Sequence, residues 1–310
     1  MNPNDPDLLV DRRRLKRQVS LWRVLAVVAL VAAVAAGLAS RTKLLGGERH
    51  IARLNISGII VDDPARGRAI AKAAEDRRVA ALIIRIDSPG GTVVGGESLF
   101  RQLRQLAEKK PVVAVMGEVA ASGGYMVALA ADHILAREGT ITGSIGVILQ
   151  TTDVTGLLSK LGITTESIKS APLKAVPSPF EPLTEEGRAA TRTLVADMFD
   201  MFVGMVVERR GIEREQALKV ADGRVYTGRQ ASALNLIDAI GGENDALDWL
   251  ATKGVARKLP VKDLKIERED DRLRDLISES LALVAGKTYL SERLTLDGLV
   301  AVWHPDLGSR

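Results

Sequence analysis

The chain has 310 residues, 46% hydrophobic and 26% charged, enough for one large domain with further segments. Aromatic residues make up only 3%, so the core must come from Ala, Val, Leu and Ile, and a net charge of +4 (43 basic, 39 acidic) is too small and dispersed to imply nucleic acid. With no cysteine, disulfides, thiolate nucleophiles and cysteine zinc sites are excluded, and His50, His133 and His304 are not spaced as a metal pair.

A basic cluster (Arg12, Arg13, Arg14, Lys16, Arg17, Arg23) precedes an uncharged run from Val24 to Ser40. This pattern predicts a cytoplasmic N-terminus over 1–23 and a transmembrane anchor over 24–40, with Arg23 snorkelling at its edge. A cleaved signal peptide is the alternative, since Gly37-Leu38-Ala39 resembles a cleavage site. Either reading exports the domain after residue 41. A polar linker fills 41–50. Ile51 to Ile60 reads as a strand, Asp62-Asp63-Pro64 as a helix start, and Ala65 to Arg77 as a helix. Val79 to Asp87 has the apolar continuity of a strand buried on both faces. Ser88-Pro89-Gly90-Gly91 reads as a loop, Gly95 to Lys109 as a helix and Pro111 to Met116 as a strand. Ser122 to Ala131 is helical in pattern, Ile134 to Ala136 a short strand, and Leu183 to Arg210 a long helix. Arg214 to Val220 begins a helical tail. The alternation predicts an α/β domain with a mainly parallel sheet over 51–253, and a helical C-terminal extension of unassigned role over 254–310.

Four segments could carry chemistry. Glu118-Val-Ala-Ala-Ser122-Gly123-Gly124-Tyr125 follows a predicted strand, so Ser122 falls at a strand-to-helix turn among small residues. There a substrate carbonyl can approach Oγ, and helix N-terminal N–H groups can face its developing charge. A glycine turn with a helix-capping serine would look the same. Asp87-Ser88-Pro89-Gly90-Gly91-Thr92 also follows a strand. Its glycines could offer an N–H that, with that of Gly123, makes a two-donor oxyanion hole; an ordinary Pro-Gly turn is the alternative. A serine nucleophile needs a base. His133, beside Asp132, is one candidate. A lysine is the other, provided that burial without acidic neighbours brings its reference pKa of about 10.4 down. Lys174 suits this, lying in Ser170-Ala-Pro-Leu-Lys174-Ala-Val-Pro-Ser-Pro-Phe180 with no acid; Lys169 competes with it. Thr140-Ile-Thr142-Gly143-Ser144-Ile-Gly146-Val holds Ser144, which could steady a base nitrogen or simply satisfy its own turn.

The ordered blocks SPGG, MGEVAASGGY, TGSIGV, IKSAPLKAVPSPF and ADGRVYTGRQASALNLID, spread over residues 50–242, resemble the signal peptide peptidase A family in its short single-domain bacterial form. The resemblance implies a ClpP/crotonase-like fold, Ser122 as nucleophile, Lys174 as general base and Ser144 steadying that lysine. It implies oxyanion N–H groups from Gly91 and Gly123, with Gly90 as fallback for the first. It also implies a membrane serine endopeptidase of the bacterial inner membrane, its catalytic domain on the periplasmic side, assembled as a homo-oligomeric ring. Neither a cofactor nor a metal is required. Its substrates would be cleaved signal peptides and other short apolar peptides. A quality-control protease and a non-catalytic scaffold are the competing readings. The DGRVYTG block carries no assigned chemistry.

Overall fold

The computed structural model describes residues 22–31, 48–267 and 299–302, which fall into two units divided after Glu48. In the first unit residues 22–31 form a helix whose Trp22, Val24, Leu25, Val27, Val28, Leu30 and Val31 are exposed. Most of the expected anchor lies outside the described residues. Among those described, no helix is long and apolar enough to cross a membrane.

In the second unit a ten-stranded sheet is assembled from the described residues. β1 (His50–Ile60) leads through Asp63 into α1 (Pro64–Glu75). Asp63 accepts from the N–H groups of Ala65 and Arg66, and Pro64 stands where a helix needs no donor, as the sequence predicts. β2 (Val79–Thr92), α2 (Val93–Ala107) and β3 (Val112–Ala121) come next. β1, β2 and β3 pair in parallel, and β3 pairs in parallel with β4 (His133–Ala136) and β5 (Ile141–Gly143). Alternate residues of β2 and β3 leave for opposite faces. Leu82, Ile84, Ile86, Val112, Ala114 and Met116 enter one core, while Ala81, Ile83, Val113 and Val115 enter another. The first core is covered by α1, α2, the short α3 (Gly123–Ala128) and the second half of α5 (Glu185–Arg210), with α4 (Thr155–Lys160) preceding α5 in the chain. The second core is covered by α8 (Glu243–Thr252), which comes after α6 (Arg214–Val220), β7 (Val225–Thr227), α7 (Gly228–Ala233) and β8 (Ala239–Ile240). Two-sided burial explains the unbroken apolar run of β2.

Two expectations need correction. The Ser88-Pro89-Gly90-Gly91 loop is the end of β2: after a register shift β1 goes on pairing, Ile59 with Gly90 and Ile60 with Gly91. A proline is tolerated where the ladder is already irregular. The C-terminal extension, expected to be helical, contributes strands among its described residues. β9 (Val261–Asp263) adds in parallel to β1, and β10 (Leu299–Val302) pairs with β2 and with β6 (Ile148–Leu149). Open strand edges decided this, and they are invisible to local periodicity.

Candidate active site

Ser122 stands between the last residue of β3 and the first of α3, with φ 55° and ψ −119°. A side-chain-bearing residue held there costs about 1–3 kcal/mol, which the surrounding contacts must hold in place. Those contacts are visible. The Ser122 N–H donates to the Gly143 carbonyl at 2.8 Å, and its carbonyl accepts from Met126 at 2.9 Å. Thr142 Oγ1 donates to the Ala120 carbonyl at 2.7 Å, and Thr140 Oγ1 to that of Gly117 at 2.8 Å. Ser122 is 1% exposed, and its hydroxyl makes no capping bond to α3, so the capping alternative fails. The N–H groups of the first turn, Gly123's included, have no carbonyl within the helix to bond.

Register brings the next segment beside it. Ala121 pairs with Gly143, so Ser122 and Ser144 are the residues that follow two paired positions. Ser144 also has positive φ, 48°, is largely buried, and donates its N–H to the Arg224 carbonyl at 2.8 Å. β7 pairs antiparallel with β5, Val225 facing Gly143. A Cβ on Gly143, itself at φ 82°, would stand 2.6 Å from the Tyr226 ring. The DGRVYTG block therefore buttresses the Ser144 segment. Sequence reasoning left Thr140, Thr142 and Tyr226 without a site role, because their contacts join residues far apart in the chain.

Gly91 meets Ser122 from the other side of the sheet end. A Cβ on Gly91 would lie 1.7 Å from the Ile60 carbonyl oxygen, so the glycine is demanded by β1. Gly124 is demanded similarly by the Ser88 carbonyl, at 2.8 Å. The Gly90 N–H donates to Ser88 Oγ at 3.1 Å, and Ser88 Oγ donates to the Gly58 carbonyl at 2.6 Å. That commitment leaves Gly91 the better of the two as an oxyanion donor.

The base candidates separate. His133 pairs with Val113 near the opposite end of β3, about 30 Å along the strand from Ser122 at roughly 3.3 Å per residue. It stacks on Trp249 with ring centroids 5.0 Å apart. Lys169 is ion-paired with Glu181, whose carboxyl its hydrogen bond holds below the usual range. Lys174 lies in the connection between α4 and α5, followed by Ala175 at φ 59°. The burial expected of Lys174 is not met within one chain, where the residue is exposed. A neighbouring cavity of about 640 Å³ is lined by Ile145, Val147 and Leu149 from the segment after Ser144, and by Val195 and Phe199 of α5.

A strained serine at a strand-to-helix turn, flanked by glycine backbone on a parallel α/β sheet, defines the class of hydrolase with a serine nucleophile at a sheet end. The model of peptidase family S49 matches residues 104–256. The slr0021 protein of Synechocystis sp. is 42% identical over 205 residues, covering 66% of this chain and 74% of that protein. The chloroplastic serine protease SPPA of Arabidopsis thaliana is 33% identical over 233 residues, which are 74% of this chain but 34% of the plant protein. Among solved structures, a ClpP1 point mutant from Listeria monocytogenes aligns with a TM-score of 0.42 at 18% identity, over 62% of this chain and 92% of that one. The chain belongs to peptidase family S49, as its resemblance to signal peptide peptidase A implies.

Proposed function

We propose that this serine protease is an endopeptidase that attacks peptide carbonyls with Ser122 Oγ, using Lys174 as general base. The observation that carries the proposal is the backbone of Ser122, held at positive φ by bonds from β3 and β5 while its hydroxyl is kept out of the helix cap. Lys174 Nζ would take the hydroxyl proton as Oγ attacks. Ser144 would orient the amine, and the N–H groups of Gly91 and Gly123 would receive the oxyanion. A water deprotonated by the same lysine would clear the acyl-enzyme. A lysine base must be neutral, and burial away from carboxylates is what makes it so. Lys174 must therefore be covered before it works. Its own segment supplies a reason for cover: Leu157, Leu161, Ile163, Ile168 (97% exposed), Leu173 and Phe180 are all exposed around it. That much exposed apolar surface supports a homo-oligomeric ring in which a second copy seals the segment.

The apolar cavity beside Ser144 supports short apolar peptides as substrates, cleaved signal peptides among them. The exposed apolar side chains of residues 22–31, behind a basic N-terminal flank, support an anchor in the bacterial inner membrane with the catalytic domain outside the cytoplasm. A fluorophosphonate probe tests the core of this reading. It should label the assembled wild type and neither Ser122→Ala nor Lys174→Ala, and peptide cleavage should be lost in both, since nucleophile and base act as a unit. Labelling that persists in Ser122→Ala would refute the nucleophile. Activity retained in Lys174→Ala and lost in Lys169→Ala would move the base.

A further inference from the structure

β3 pairs with β2 only as far as Ala120 opposite Ser88. There the chain turns at Ser122 into α3, and the β2 edge at Gly90–Thr92 loses its neighbour on that side. Its other side is already taken, with Ile59 and Ile60 of β1 on Gly90 and Gly91. An open edge of this kind is a template for an extended peptide. On the far side of the gap stands β6, which continues the chain from Ser144. The slot is thus bounded by the strand end that carries Gly91 and by the segment that follows Ser144, with Ser122 at the turn that opens it.

In the structure this slot is filled by the chain's own β10. Val300, Ala301 and Val302 pair antiparallel with Thr92, Gly91 and Gly90, while Leu299 and Val300 pair antiparallel with Leu149 and Ile148. The segment Leu299-Val-Ala-Val302 is uncharged and apolar, the character proposed above for the substrate. We propose that the slot between β2 and β6 is a strand-accepting peptide site and that residues 299–302 occupy it as an internal competitor of substrate. The proposal rests on the Ser122 reading for its kinetic consequence, but the seating of the tail does not. A substrate strand running past Ser122 needs the same Gly90–Thr92 edge, so tail and substrate exclude one another. Apparent affinity for substrate falls in proportion to the fraction of time the slot is free.

The test uses the full-length chain carrying Val300→Pro and Ala301→Pro together. Adjacent residues of a strand send their N–H groups to opposite neighbours, so the pair removes a donor to each side. Amide exchange at Gly90–Thr92 and at Ile148–Leu149 should accelerate relative to the unsubstituted chain. KM for a short apolar peptide should fall, on the order of tenfold if the tail fills the slot nine-tenths of the time, with kcat unchanged. A synthetic peptide of residues 295–304 should then inhibit the variant competitively and restore the protection. Unchanged exchange would overturn the seating of the tail. Faster exchange with unchanged KM would overturn the competition. Repeating the exchange measurement in Ser122→Ala separates the two readings. If Ser122 proves not to be the nucleophile, the protection lost on proline substitution still reports whether the tail sits in the slot.

Discussion

At the scale of single residues, backbone geometry constrains this site more tightly than side-chain chemistry does. Gly91 has no room for a Cβ, since the Ile60 carbonyl oxygen would lie 1.7 Å away. Gly91→Ala must push β2 off β1 at the point where an oxyanion donor is proposed. The expected result is a loss in kcat of about 100-fold or more, the size seen when one such donor is removed, with little change in KM. Steady-state kinetics on a short peptide check it, and a change confined to KM would count against the donor role. His133 offers a second prediction, remote from catalysis. Burial pushes its imidazole below the ordinary value, and Arg210 and Lys253 add to this, against the opposing pull of Asp238. The folded state therefore binds fewer protons than the unfolded one between that lowered value and about 6.5. Stability is fully present above this window and declines as pH falls through it. His133→Phe, which keeps a ring for Trp249 to stack on, should flatten the fall in Tm between neutral and mildly acidic pH. It should leave kcat/KM unchanged at neutral pH.

At the scale of elements, α5 divides its work. Its 26 residues span roughly 39 Å at 1.5 Å per residue. Apart from Gly187, its buried positions are Phe202, Val203, Met205 and Val206, all in the second half, whereas the first half rims the cavity with Val195 and Phe199. The second half thus clamps the helix to the core under β2 and β3. Phe202 is fully buried, and Phe202→Ala should cost about 3–5 kcal/mol, read as a lower urea midpoint with an unchanged slope. A much smaller loss would mean that the second half of α5 is less firmly seated than its burial indicates. Thr184 caps the N-terminus through the Gly187 N–H, and Gly211 ends the helix in the left-handed conformation at φ 62°.

At the scale of the molecule, the exposed apolar residues of 157–180 are the feature that one chain leaves uncovered. Ile168, 97% exposed, sits one residue before Lys169 in the same connection as Lys174. If this surface meets a second copy, Ile168→Glu should lower the sedimentation coefficient toward that of a monomer. Peptidase activity should fall with it while the far-ultraviolet circular dichroism is kept. An unchanged assembly with full activity would place the interface elsewhere. Dilution of the wild type across its assembly range should lower specific activity in step, because Lys174 needs cover to serve as a base.

Much of the fold was legible in the amino-acid sequence because the relevant signals are local. The apolar run of Val79 to Asp87, the Asp63-Pro64 helix start and the spacing from Glu185 to Arg210 report burial, capping and helical period within a few residues of themselves. Ser122 at a strand-to-helix turn was legible for the same reason, since small residues after an apolar strand announce where the chain must bend. Partners distant in the chain were not. That Gly91 is glycine because of Ile60, that Gly143 rests on Tyr226, and that His133 lies at the far end of β3 from Ser122 all depend on strand register. Residues 299–302 carry no local sign that they would enter the gap beside Gly91. Sequence by itself determined which segments become strands and helices and which serine ends a strand. Tertiary structure alone decided which edges those strands leave open and what fills them, because a β-edge is completed by backbone groups that any extended segment can supply.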